Sequence, residues 1–469
     1  MGSEPQGTAG RRLRDRLPGI LAALEAGLVE RRPVVRLALL AALAGEHTLL
    51  VGPPGTAKSQ LARRLHLVFR EARYFERLLT RYTVPEELFG PLSISALEDD
   101  RYERQTAGFL PQASIAFIDE VFKANSAILN ALLTLLNERE FDNGPRREPC
   151  PLISVIGATN AVPEDEVGEA FFDRFLVRIP VAPVSAEGFR RLLELDSVPP
   201  PSAAEALDDP DRLAISRAAH EVLVTDEVAG LLGELRSWLA EQRAYVSDRR
   251  WVKITWLLKV AAAAEGRTAL SIWDLWLLPW CTAPDAPRQE SVAAWLGARL
   301  GVRDEMSAPR LTRVVEAFEA QVETERAADD LDYDESGRLR FDAGIEDRVV
   351  DAKGGASALR MSSTRKRRYG ATHVGARVRQ VEALTQRIDG YLRELSARRD
   401  DLAGYRAQSL WVDDDFARRA ADALSATVEA VQALRWRAGA TRAAFEALPR
   451  LPSDPGVAPP PIEHEPLAT

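Results

Sequence analysis

A chain of 469 residues with 46% apolar and 28% charged side chains has the length for about three domains and an ordinary folded composition. This excludes a largely disordered or collagen-like chain. Lys and Arg number 61 against 70 Asp and Glu, so the net charge of −9 gives no global argument for nucleic-acid binding. The two cysteines, Cys150 and Cys281, exclude a disulfide framework and read as buried reduced thiols.

Residues 1–10 are small and polar and read as a disordered N-terminus. The arginines near the start precede an apolar stretch, but Glu25 and Glu30 interrupt it and no small-residue cleavage site follows. Apolar runs such as Leu37 to Ala44 fall far short of the ~18 residues that span a bilayer, so a cytoplasmic protein is expected. Leu17, Ile20, Leu21, Leu24 and Leu28 recur at helical spacing, and a second helix runs from about Pro33 through Leu43. His47 to Val51 is a short apolar run that ends in Gly52-Pro53-Pro54-Gly55, a buried strand feeding a tight turn. A helix follows from Lys58 to about Glu71. Strand-like runs recur at Ser114 to Ile118 and Leu152 to Gly157, with a helix at Ser126 to Asn137 between them. This alternation predicts a parallel sheet covered by helices on both faces.

Beyond Pro183 the strand signal fades. The expected division is an α/β core over 11–185, an all-helical domain over 186–302 and a mostly helical C-terminal domain over 303–450. Within the last, 331–375 reads as a small β insertion. Val381, Leu384, Ile388, Leu392 and Leu395 mark one long amphipathic helix, and Phe416, Leu424, Val428, Val431 and Leu434 mark another. The proline-rich stretch 451–469 reads as a flexible tail.

The strongest chemical signal is Gly52-Pro53-Pro54-Gly55-Thr56-Ala57-Lys58-Ser59, one residue away from G-x-x-x-x-G-K-[ST]. Phosphates need such a segment: successive N–H groups form a concave anion site, and the following helix adds its positive end. Lys58 is placed to reach the β- and γ-phosphates and Ser59 to bind Mg²⁺, with Gln60 next on the helix. Ala57 stands where the pattern has glycine, and a helix-start conformation is expected to accommodate its methyl. Ile115-Ala116-Phe117-Ile118-Asp119-Glu120 then sets two carboxylates at a buried strand's end, where ligands bind in open α/β sheets. Asp119 suits the Mg²⁺ shell, and Glu120 suits activation of an attacking water.

Asn160, after the run Leu152 to Gly157, is either a γ-phosphate or water ligand or a strand-ending turn residue. Arg174, in Phe171-Phe172-Asp173-Arg174-Phe175, is either an arginine finger or a surface partner of Asp173. Arg249 and Arg250 are placed to sense a nucleotide across a domain cleft, or to begin a helix in an ion pair with Asp248. The run Arg365 to Arg368 is a polyanion contact or a solvated hairpin. His47, His66, His220, His373 and His464 show no metal-ligand spacing.

Taken in order, these blocks resemble an AAA+ ATPase of the MoxR family, in its RavA-like branch. TRYTVPEELFGPLSISAL (Thr80 to Leu97), the stretch Arg101 to Phe141 and YVSDRRW (Tyr245 to Trp251) are similar to that family, as is alanine before the loop lysine. The resemblance implies an α/β P-loop AAA+ core with an all-α lid. It makes Lys58 and Ser59 the Walker A pair, Asp119 and Glu120 the Walker B pair, and Asn160 sensor 1. Arg174 becomes the finger that reaches a neighbouring subunit, and Arg249 sensor 2 with Arg250 as the alternative. Glu87 to Gln112 would hold a hairpin projecting toward a central pore. ATP and Mg²⁺, a hexameric ring, a protein client and a partner with a von Willebrand factor A domain follow by the same resemblance. The short insertion argues against the lysine decarboxylase partner of RavA proteins. A nucleotide-gated scaffold with slow hydrolysis and a DNA-directed ring motor are the competing functions.

Overall fold

The computed structural model describes residues 6–162, 166–195, 206–331, 364–451 and 457–467. Helix α1 (Gln6–Glu25) extends into the stretch that composition assigns to a disordered N-terminus. Its Leu13, Leu17, Ile20, Leu21 and Leu24 are buried along one stripe. Helix α2 (Arg32–Leu43) begins with proline in its first turn, where a missing N–H costs nothing, and is buried from Val34 to Leu43 except at Arg36.

The core alternates as expected. Its elements are β1 (His47–Val51), α3 (Lys58–Leu65), β2 (Tyr74–Leu78), α4 (Pro85–Phe89), α5 (Ile94–Glu98), β3 (Ile115–Asp119) and α6 (Ser126–Glu138). There follow β4 (Glu140–Asn143), β5 (Arg146–Pro149), β6 (Ser154–Thr159), α7 (Glu166–Phe172), β7 (Phe175–Pro180) and α8 (Ala186–Leu193). Strands β2 and β7 and the antiparallel hairpin β4–β5 escaped the sequence reading, and α3 stops at Leu65 rather than near Glu71. The main sheet has the order β2-β3-β6-β1-β7, every neighbouring pair parallel. All five strands therefore end at one edge and begin at the other.

Strand β6 is buried throughout, as a strand covered on both faces must be. Leu49, Ala116, Ile118, Val155 and Phe175 pack with Ile128, Leu129, Leu132 and Leu135 of α6. The alternate residues Leu50, Ile115, Phe117 and Ile156 point to the other face, against which α2 and α3 lie. His47, in step with Leu49, is buried on the α6 face with its ring edge-on to Phe175. Its Nδ1 accepts from Val155 N at 3.0 Å, so its Nε2–H donates to Leu136 O at 3.1 Å, and burial holds the imidazole neutral with a pKa of about 3.

The helical region comprises α9 (Asp209–Glu221), α10 (Asp226–Glu241), α11 (Asp248–Ala264), α12 (Leu278–Thr282) and α13 (Ala286–Arg299). Thr225, Ser247 and Asp285 cap three of these starts by accepting an N–H of the first turn. Trp273, Trp276 and the free thiol Cys281 of α12 are buried in this region, and the free thiol Cys150 is buried in the α/β core.

By contact the chain divides into two compact units. One holds the residues up to Leu300 together with Leu402–Arg419; the other holds Gly301–Asp401 and the residues from Ala420 on. The return of Leu402–Arg419 to the first unit is absent from the sequence reading. There Ser409 Oγ and Leu410 N donate to Glu265 at 2.6 and 2.7 Å. Tyr405 Oη donates to Asp274 at 2.9 Å, and buried Trp411 donates to Ala261 O at 3.2 Å.

The second unit contains α14 (Ala308–Ala327), β8 (Asp329–Leu331) and β9 (Thr364–Lys366), with most of α15 (Ala371–Gln408) and α16 (Asp414–Glu446). Strands β8 and β9 pair antiparallel, while 332–363, most of the expected insertion, lies outside the described residues. Residues 371–375, read as insertion, begin α15 instead. In the basic run, Lys366 and Arg367 pair with Asp329 at 3.1 Å and Asp330 at 3.8 Å. The segment 457–467 is not a free tail. Glu465 pairs with Arg310 and Arg313, and Pro460 O accepts from Arg377 at 2.8 Å. Among the described residues no helix is long and apolar enough to cross a membrane.

Candidate functional site

The loop that leaves β1 is pinned between two strand ends. Gly52 N donates to Thr159 O at 2.9 Å, and Val181 N donates to Val51 O at 2.7 Å. A Cβ on Gly52 would lie 2.1 Å from Val181 O, so only glycine fits there. Gly55 has φ of +80° with open space around it. Ala57 has φ of +66° and ψ of 22°, the left-handed region, rather than the expected helix-start conformation. That choice costs an L-residue roughly 1–2 kcal/mol and explains why the pattern usually has glycine here.

Helix α3 starts at Lys58 with no side-chain cap, so its first-turn N–H groups have no intrahelical partner. Uncapped donors at a helix start, beside an open concave loop, fit a polyphosphate. Lys58 Nζ donates to the loop's own carbonyls, Gly52 O at 2.5 Å and Pro53 O at 2.9 Å. Burial lowers its pKa, opposed by the nearby carboxylates of Asp119 and Glu120. Thr56 Oγ1 donates to Pro53 O at 3.0 Å, tightening the turn. Ser59 is partly buried, and Pro53, Pro54 and Gln60 are exposed.

Asp119 ends β3 at the same edge of the sheet. Glu120 follows with φ of +50°; its N–H donates to Asp119 Oδ1 at 3.0 Å, and its carboxylate lies 3.3 Å from Lys123 Nζ. Asn160 directly follows β6 and is exposed. Since Thr159 O holds Gly52 N, the structure brings Asn160, the loop and the two carboxylates to one edge.

Arg174 stands elsewhere. It precedes β7, whose Phe175 pairs with His47 at the start of β1. With six residues in β7, about 20 Å of strand separates Arg174 from the loop edge. Arg174 Nε is buried without a hydrogen-bond partner, and Nη1 is 3.7 Å from Asp173. Burial lowers its pKa, and the nearby Arg249 guanidinium lowers it further. Arg249 is exposed in the first turn of α11 and donates to Asn137 Oδ1 at 3.1 Å. Arg249 thus neighbours Arg174 and does not face its own loop across a cleft.

Arg250, the alternative sensor, is 4% exposed and fully engaged. It donates to Cys281 O, to Asp173 O and Oδ1, and to the carbonyls of Phe175 and Leu176, at 2.6–3.1 Å. No donor is left for a nucleotide, so Arg250 bolts the helical region to β7. Lys253 and Trp256 strengthen the same junction, through Glu46 at 2.6 Å and Ala44 O at 3.0 Å. The helical region therefore packs on the edge of the sheet opposite the loop.

Two residues near the loop were not singled out from sequence. Arg31 Nε donates to Thr56 O at 3.2 Å, and Glu30 accepts from Ser185 N at 2.8 Å. Beside them a cleft of about 360 Å³ is lined by Gly27, Leu28 and Val29 on one side and by Arg191, Glu194 and Leu195 on the other. In the sequence, Glu30-Arg31-Arg32-Pro33 reads as an ordinary charged helix start.

Residues 15–198 match the model of the MoxR domain in MoxR-vWA-beta-propeller ternary systems, and residues 227–296 match an AAA lid domain. An uncharacterized protein of Methanocaldococcus jannaschii is 43% identical over 267 residues, covering 56% of this chain and 69% of that protein. A second from the same organism is 42% identical over 261 residues, covering 54% and 68%. Chaperone MoxR1 of Mycobacterium tuberculosis is 28% identical over 233 residues, covering 45% and 60%. With its loop, its carboxylate pair and its lid in that order, the chain belongs to the MoxR family of AAA+ ATPases.

Proposed function

We propose that the protein hydrolyses Mg-ATP at sites shared between adjacent subunits of a ring, a hexamer by family resemblance. The observation that carries this reading is the separation of functional groups onto two edges of one sheet. The loop edge has an anion cradle and carboxylates, whereas the arginine edge has Arg174 and Arg249. An arginine about 20 Å from its own loop serves catalysis only at another subunit's nucleotide.

In this reading the N–H groups of Gly55 to Gln60 and the Lys58 ammonium hold the phosphates. To do so Lys58 leaves the carbonyls of Gly52 and Pro53, exchanging weak acceptors for a phosphate anion. The purine enters the cleft lined by Leu28 and Val29. Ser59 and Asp119 would hold Mg²⁺, which when bound supplies charge neutralisation between the phosphates. Glu120 takes a proton from the attacking water, and its bond to Lys123 is released to do so. Asn160 orients that water or the γ-phosphate. Arg174 of one subunit, seconded by Arg249, meets the charge that develops on its neighbour's γ-phosphate.

The work done is chaperone-like remodelling of a protein client or a VWA-domain partner. The matched model's origin in MoxR-vWA ternary systems and the relative named a chaperone support this. The RavA-like placement rests on sequence resemblance, whereas the matched model is that of the ternary systems. Exposed Ile94, Leu97 and Tyr102, within Glu87 to Gln112, give that segment an apolar surface for a client. The test is ATPase rate per subunit against protein concentration, with mass photometry on the same samples. A rate that rises as rings form is expected. A constant rate from monomers would remove the shared site.

A further inference from the structure

We infer that Arg31 is a positioning residue that couples base binding in the cleft to phosphate binding at the loop. This rests on the ATPase reading above and assigns a residue which that reading leaves idle. Arg31 is 9% exposed and spreads its guanidinium over three carbonyls on three segments. Nε donates to Thr56 O at 3.2 Å, Nη1 to Glu30 O at 3.1 Å and Nη2 to Ala182 O at 2.8 Å. A planar fork of donors suits this task, and an ammonium does not reproduce it.

The bond to Thr56 O matters most. The peptide between Thr56 and Ala57 is planar and trans, so its C=O and N–H point in opposite directions. Holding the Thr56 carbonyl toward Arg31 aims the Ala57 N–H away from Arg31. It also holds Ala57 in the left-handed conformation, which an alanine would otherwise leave. An orientation that glycine adopts freely in related loops is imposed here from outside.

Glu30 extends the link to the far wall of the cleft. Its carboxylate accepts both Ser185 N and Ser185 Oγ, bonds that hold it below the usual carboxylate range. Ser185 in turn caps α8 by accepting Gly188 N at 3.0 Å. The near wall, Gly27 to Val29, leads directly into this pair, and α8 carries Arg191 of the far wall. The two adjacent residues thus join both walls of the base cleft to the phosphate loop.

The experiment compares full-length wild type, Arg31→Met, Arg31→Lys and Lys58→Ala. It measures affinity for ATP and for tripolyphosphate, which lacks the base, together with KM, kcat and a thermal melt. Arg31→Met should raise the KM for ATP about tenfold with kcat within about threefold. The ratio of ATP to tripolyphosphate affinity should fall at least about threefold. Arg31→Lys keeps the charge without the fork and should show the same fall, which keeps the test open where the Met variant melts. Equal losses for both ligands, or wild-type behaviour of Arg31→Lys, would overturn the coupling. Wild type that binds ATP no better than Lys58→Ala would overturn the ATPase reading itself.

Discussion

The two edges of the main sheet are built from the same strands yet are opposites in character. The loop edge is open, with exposed Asn160, an uncapped helix start and a lysine resting on its own backbone. The arginine edge is closed: Arg250, Trp256 and Lys253 fasten the lid to it, and Arg139 donates to the carbonyls of Gly45, Leu152 and Ile153. Partly exposed Arg174 and exposed Arg249 keep a face toward solvent there. Under the proposed shared site, the contrast divides the molecule into a receptor edge and a donor edge, each completed by a second copy.

The sharpest way to break this contrast is to disable each edge separately. Glu120→Gln and Arg174→Ala should each lower ATP turnover by about 10²-fold or more while ATP still binds. Mixing the two variants should restore part of the rate, because one subunit's intact Arg174 then meets the other's intact Glu120. No recovery in a mixed-subunit assay would place both residues in one site.

Next in size is the difference between neighbouring arginines. Arg250→Ala should lower unfolding free energy by about 3–5 kcal/mol, since it strips a buried cation from Asp173 and four carbonyls. Arg249→Ala should leave stability within about 0.5 kcal/mol and reduce turnover only where rings form. Denaturant titrations paired with ATPase assays separate the two.

A smaller effect comes from His47 at the start of β1. The fold holds it neutral down to a pKa of about 3, whereas the unfolded chain protonates it near 6.5. The unfolded state therefore binds more protons below pH 6.5, and stability falls as the solution is acidified. The loss is about 2 kcal/mol by pH 5, one proton's worth of slope. In His47→Asn that slope between pH 6.5 and 5 should be lower by about one proton in urea titrations. The smallest change is Ala57→Gly, which relieves the left-handed strain and loosens the unfolded chain. The net shift should stay within about 1 kcal/mol in either direction, read from the melting midpoint.

Sequence made the loop edge readable because its parts are contiguous. A strand, a glycine-rich turn and a helix start occupy adjacent positions, and Asp119-Glu120 follows its own apolar run. The arginine edge was only half readable. Arg174 and Arg249 are each visible as an arginine in context, but their meeting depends on where α11 lands, and Arg250 carries an identical local signal while facing the core. Arg31 was invisible for a related reason: its partners, Thr56 and Ala182, are set by tertiary packing. At the C-terminus, composition suggested a loose tail, yet Glu465 and Pro460 are anchored by specific arginines that no periodicity marks.

The return of Leu402–Arg419 to the first unit sets a limit on modularity. Cutting the chain after Leu300 would retain both family segments, yet it would remove Ser409 and Leu410 from buried Glu265 and Tyr405 from Asp274. Two carboxylates would lose hydrogen-bond donors, and the seat of Trp411 would open to water. The portion that matches the family is therefore not a cassette that ends where the match ends. A graft that exchanges the C-terminal unit for another must carry this plug with it or rebuild the lid surface that it covers.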